Sequence, residues 1–176
     1  MWIRDALPSM VRGTRFILYG YDTALIGSKS FQRIEDLSIS LMHTLQAGGW
    51  GSPSAKSLVF LVHSLGGVVL KQTFVLLAGS GAVNVSILDK VKGAIFFGVP
   101  SEGMAVSDIK EMLGEQPNKD SLVDEISPNS PLLLQLEHQV YGLSYTRHMS
   151  LFWCYETKTT PTIEVSTELH RAKWGE

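Results

Sequence analysis

The sequence predicts an α/β chain: an open, mostly parallel sheet of about five strands with helices on both faces. Three observations predict it. Short β-rich segments alternate with longer helical ones. The run LVFLVH at 58–63 is apolar without polar alternation, and it passes directly into a helical stretch that opens on Gly66 and Gly67. An apolar strand of that kind belongs in a parallel sheet covered by helices. Alternating strands and helices mean βαβ crossovers. The 176 residues are read as one domain, 1–176, since nothing resembling a linker, an internal repeat or a charge run divides them.

Each element has its own signal. Residues 16–21 (FILYGY) read as a strand stopped by Asp22. Ile34, Leu37, Leu41 and Leu45 recur at spacings of three and four, which puts them on one helical face. Ser30 is a candidate N-cap for that helix, and Gly48-Gly49 ends it. After the loop Gly51-Ser52-Pro53-Ser54, residues 58–63 form the second strand and residues 66–77 the second helix. Residues 93–98 form a third strand, broken by Val99-Pro100. Residues 101–130 are polar and hold Gly114, Pro117 and Pro128, so they read as an excursion with one short helix around 109–113. A helix over 132–140, a fourth strand over 151–155 and a short fifth over 163–165 complete the order. In such sheets ligands bind at the carboxyl ends of the strands.

Composition excludes several classes. Hydrophobic residues make up 44% of the chain and charged residues 18%, enough to build a core and too apolar for a disordered segment. Fifteen Lys and Arg against seventeen Asp and Glu give a formal charge of −2 with no basic block, which argues against nucleic acid as a partner. The lone Cys154 excludes an internal disulfide and a multi-cysteine metal site. No two His or Cys residues share helical i, i+4 spacing, so no metal site is expected. No glycine-rich phosphate loop follows the first strand, which excludes a P-loop or dinucleotide fold. The apolar stretch 58–77 contains His63, Ser64, Lys71 and Gln72, each costly in hydrocarbon, so no transmembrane segment is expected. Met1-Trp2-Ile3-Arg4-Asp5 has no apolar h-region, and the expected location is intracellular.

The sharpest signal is Val62-His63-Ser64-Leu65-Gly66-Gly67, where strand turns into helix. A nucleophile elbow needs that context: a serine on a strained turn, small residues around it, and a backbone N–H after it to donate to an oxyanion. Ser64 is then the nucleophile, Leu65 N–H the donor, and His63, Gly66 and Gly67 the elbow. Val62 stands where G-x-S-x-G has its first glycine. A plain N-cap role for Ser64 is the alternative.

The blocks "RFILYGYD", "LVFLVHSLGGVVLKQ", "GAIFFGVPSEG" and "LFWCYET" occur in the order seen in a lipase-like family of α/β-hydrolases. That family includes the serine active site-containing proteins and the hydrolase domains of fungal NOD-like receptors, and this chain resembles it from Trp2 to about Val165. The family reads Gly-Thr-Pro-His where this chain has Gly98-Val99-Pro100-Ser101. The resemblance implies a three-layer α/β-hydrolase-like sandwich and a serine esterase that hydrolyses ester or lipid-like substrates without a cofactor. It also implies association with the endoplasmic reticulum, mitochondrion or a membrane surface.

A serine nucleophile needs a histidine base and an orienting carboxylate, in the order Ser, acid, His. Glu156 follows the fourth strand directly and matches the "YET" block. Glu102 is the second choice, and Asp22 precedes the nucleophile. Among the histidines, His43 and His138 lie in helices, His63 adjoins Ser64 along a strand, and His148 enters the fourth strand from its amino end. His170 follows the last strand and is the candidate base. By the resemblance, the chain lacks the family's first strand with its His-Gly oxyanion loop, and also its Asp-His block. It therefore reads as a hydrolase domain truncated at both ends. The alternative is an inactive, truncated hydrolase-like module used for binding or signalling.

Overall fold

The computed structural model describes residues 5–21, 33–79, 81–113 and 119–155. In order they form a one-turn helix α1 (Leu7–Met10), α2 (Ile34–Ala47), β1 (Leu58–His63), α3 (Leu65–Gly79) and α4 (Gly81–Lys90). These are followed by β2 (Val91–Phe97), α5 (Val106–Leu113), α6 (Lys119–Ile126), α7 (Pro131–Thr146) and β3 (Ser150–Cys154). The three strands form one parallel sheet in the order β1-β2-β3. Helices carry both crossovers, so the chain is an α/β fold with a parallel sheet.

The strand run that sequence marks most strongly, Leu58–His63, is β1 to the residue. It pairs with β2 from Val59 opposite Gly93 to His63 opposite Phe97. Gly93 is required at its position, because a side chain there would overlap the Ser150 carbonyl of β3. The periodic face of α2 also appears as read: Ile34, Leu37, Leu41 and Leu45 are all buried. Its amino end is held by two carboxylates. Asp36 accepts the Arg33 N–H at 2.9 Å, and the Glu125 carboxylate of α6 accepts the Ile34 N–H at 3.3 Å. Both negative charges sit at the positive end of the helix dipole. Gly48 closes the helix, followed by Gly49 at φ +73°. Ser30 lies outside the described residues.

Two expectations are corrected. Residues 16–21 are not a strand: among the described residues none pairs with them in a ladder, and strand propensity without a pairing partner does not make a strand. Tyr19 and Tyr21 instead pack against the core, leaving Ile17 and Leu18 exposed. The described sheet therefore has three strands where about five are expected, the fifth (163–165) lying outside the described residues. The polar excursion holds two helices, α5 and α6, and not one. Ile109, Leu122, Val123 and Ile126 are buried, giving each helix an apolar face to dock.

Helix α3 is central. On one side Val69, Leu70, Phe74 and Leu77 join a buried cluster with α2, α4 and the sheet residues Val91, Ala94 and Phe96. On another, Val68 joins Ile34, Ile109, Leu122, Val123, Ile126, Leu133 and Leu136 in a second cluster. Apolar contact on more than one side explains why this helix is apolar almost throughout. On the sheet, Phe60, Val62, Ala94, Phe96 and Leu151 face these clusters. The opposite face shows Val59, Leu61 and Phe152, all exposed, and so β1 alternates in burial although its sequence does not alternate in polarity.

Candidate active site

The chain leaves β1 at His63 and enters α3 at Leu65, with Ser64 alone between them. Ser64 has φ +51°, in the left-handed region. The other described non-glycine residues with positive φ are Asn129 and His148, residue types that tolerate this conformation. Serine gains nothing locally from it, and the strain is of order 1–3 kcal/mol. The surrounding hydrogen bonds hold it there. Ser64 N–H donates to the Phe97 carbonyl at 3.0 Å, extending the β1–β2 ladder by one residue, and the Ser64 carbonyl accepts from Gly67 N–H at 2.9 Å.

This geometry does not fit a plain N-cap. A cap residue has extended backbone and bonds its hydroxyl to the first turn. Ser64 has neither, and its Oγ forms no hydrogen bond with any described residue. Leu65 is the first residue of α3, so its N–H has no acceptor within the helix, and no described group outside the helix takes it either.

The two glycines have separate reasons. A side chain on Gly67 would overlap Val99, which follows β2 and packs directly on the helix. A methyl on Gly66 would stand 3.2 Å from the Tyr21 hydroxyl. Val62, in place of the motif's first glycine, turns its side chain toward the core cluster beside Phe96, where there is room. Tyr21 is half-buried, and burial together with the nearby Tyr19 raises its pKa above the ordinary 10.0.

The remaining site residues separate clearly. Glu156, His170 and Asp22 lie outside the described residues. Glu102 is exposed on the loop after β2. His43 on α2 and His138 on α7 are exposed, as is His148, which precedes the amino end of β3, remote from the carboxyl ends where Ser64 sits. His63 is the last residue of β1 and projects to the sheet face opposite α3. Among the described residues no three His, Cys, Asp or Glu side chains gather as a metal set.

One polar cluster was not legible in the sequence. Lys71, 1% exposed in the middle of α3, donates to Ser101 Oγ at 2.7 Å and pairs with Glu137 of α7. Its Nζ lies 5.2 Å from the centre of the Phe96 ring, which itself stacks on Trp153 at 5.7 Å. A buried ammonium must be compensated, and here a carboxylate, a hydroxyl and an aromatic face do so. The cluster fastens the loop after β2 to α3, with Val99 seated on Gly67 at one end and Ser101 on Lys71 at the other. A lysine seven residues after the elbow serine, in an otherwise apolar helix, was the available signal.

No family model matches the chain, and no solved structure matches it. It is similar to Protein SERAC1 of Homo sapiens, 26% identical over 165 residues, and to that of Mus musculus, 24% identical over 164 residues. Protein SERAC1 of Bos taurus is likewise 24% identical over 164 residues. Each match takes in 90% of this chain but 24% of the relative, so the chain spans about a quarter of the length of the curated relatives it matches. A parallel α/β sheet with a strained serine at its strand-to-helix turn, and these distant relatives, together make a loose link to hydrolase-like proteins.

Proposed function

We propose that the chain is a single, partial α/β-hydrolase domain, 1–176, that hydrolyses carboxylic esters through Ser64. The observation that carries this reading is Ser64 at φ +51° between β1 and α3, with Gly67 closed against Val99. A strained serine between a parallel strand and a helix is the geometry that exposes a hydroxyl above the sheet. In the proposed reaction Ser64 Oγ attacks the ester carbonyl while a base takes its proton. The oxyanion forms beside Leu65 N–H, the alcohol leaves with that proton, and water then hydrolyses the acyl-serine. His170 as base and Glu156 as orienting acid belong to the proposal. So do a lipid-like acyl group and peripheral contact with a membrane surface. Among the described residues no helix is long and apolar enough to cross a membrane.

The test is turnover of p-nitrophenyl esters of graded chain length by the wild type and Ser64→Ala. Turnover that disappears in the variant supports the reading. A second reading, an inactive hydrolase-shaped binding module, is favoured by the places of His43 and His138, exposed on α2 and α7, and of His148, ahead of the amino end of β3. Equal rates in wild type and variant would select it.

A further inference from the structure

We propose that Lys71 is a positioning residue for Ser64, acting through Ser101 and the loop after β2, an inference that rests on reading Ser64 as the nucleophile. Gly67 and Lys71 stand at i and i+4 of α3, so they share one face of the helix. The loop after β2 lies along that face. Val99 packs on Gly67, where there is no room for a side chain, and Ser101 Oγ accepts from Lys71 Nζ at 2.7 Å. Ser101 N–H in turn donates to the Val99 carbonyl at 2.8 Å. The residue that Lys71 holds is thereby tied directly to the residue that closes on the turn. The start of the same loop is fixed as well. Gly98 N–H donates to the Cys154 carbonyl of β3 at 2.9 Å, and the preceding Phe97 carbonyl accepts the Ser64 N–H at 3.0 Å.

Two further observations agree. Stability does not account for a lysine at this place, because a buried ion pair adds little over an apolar replacement of similar volume. What an apolar residue would not supply is a directed donor. The Lys71 ammonium is fixed by Glu137 of α7, by Ser101, and by the Phe96 ring, whose centre lies 5.2 Å away. Phe96 adjoins Phe97 on β2 and stacks on Trp153 of β3, so the donor is registered against the strand that meets Ser64 N–H. The second observation is Ser64 itself. Its φ of +51° persists only where the surroundings over-determine it, and the loop after β2 is one of those surroundings. A loop tethered at Ser101 holds Val99 down on α3, and so keeps the reacting hydroxyl in one place.

Ester kinetics and melting temperatures of Ser101→Ala and of Lys71→Met with Glu137→Gln, against wild type and Ser64→Ala, test the proposal. Ser101→Ala removes the acceptor and leaves the buried pair intact. The double variant removes the donor without leaving a lone charge in the core. Both are expected to lower kcat with KM unchanged, on the order of 10²-fold for a displacement of about 1 Å, while the melting temperature stays near that of wild type. Ser101→Thr keeps the hydroxyl and should restore most of the loss. Should the double variant fold poorly, Ser101→Ala decides alone, since Ser101 is only partly buried. In a merely structural cluster kcat would follow stability. A double variant that regains both the wild-type melting temperature and the wild-type kcat therefore overturns the positioning role. So does Ser64-dependent turnover that is equal in wild type and Ser101→Ala. Absence of Ser64-dependent turnover in the wild type overturns the nucleophile and the positioning role with it.

Discussion

Ser64 holds the most informative backbone angle in the chain. Its φ of +51° is maintained by the Phe97 carbonyl on one side and Gly67 N–H on the other, at a cost that serine does not recover locally. Glycine adopts this conformation freely, so Ser64→Gly relieves the strain while adding some backbone entropy to the unfolded chain. The net expectation is a gain of about 0.5–1 kcal/mol in urea-induced unfolding, accompanied by loss of esterase turnover. A variant that is less stable by a similar amount would show that the turn is not strained. Tyr21 makes a pH statement at the same scale. Its pKa is raised on folding, so the stability it contributes is fully present below 10.0 and is lost only as pH rises through the higher folded value. Between pH 6 and pH 9 stability should not vary with pH through Tyr21, and a stability–pH profile that loses a limb in that range in Tyr21→Phe would contradict this.

At the scale of elements, α3 decides how the site is held. Lys71 is buried within it, and Glu137 of α7 supplies the opposite charge. Removing that carboxylate leaves an uncompensated cation in the core, which typically costs about 3–5 kcal/mol. We expect Glu137→Gln to lower unfolding stability toward that range, discounted because the Glu137 side chain is 37% exposed. Lys71→Met with Glu137→Gln together should recover much of the loss, since an apolar replacement of a buried pair is often neutral. Additive losses in this double variant would mean that the two side chains are not coupled. Sequence read the elements unevenly, for physical reasons. β1 and α2 are legible because an unbroken apolar run and an i, i+4 stripe are local signals. α4 gave no such stripe: its buried Asn84 accepts from Gln46 of α2 at 2.5 Å and donates to Met42 Sδ of the same helix at 3.7 Å, partners 38 and 42 residues away. The Lys71–Glu137 pair spans 66 residues and leaves no local trace. Residues 16–21 failed in the opposite direction, because β-branched and aromatic residues state a preference that only a neighbouring strand can realise.

For the molecule as a whole, the two buried clusters meet across α3, one toward the sheet and one toward α5, α6 and α7. The elbow sits at the end of that helix, so it is held by the largest block of packing in the described residues, with Val99 and Ser101 tying the loop after β2 to the same helix. The sheet face carrying Val59, Leu61 and Phe152 contributes nothing to either cluster. The strand-to-helix turn at Ser64 was legible in sequence because its signal is local, a serine flanked by small residues where an apolar strand ends. Glu156 and His170 could be read only as candidates for an acid and a base, since groups on distant turns leave no local spacing, and both lie outside the described residues. The proposal for Ser64 is that it is an activated nucleophile. Its most direct test is labelling of the purified protein with a fluorophosphonate probe, with the modified residue located by peptide mass spectrometry and Ser64→Ala as control. A single adduct on Ser64 that is absent from the control is expected. A folded wild-type protein that takes up no probe, or takes it up equally in Ser64→Ala, would contradict it.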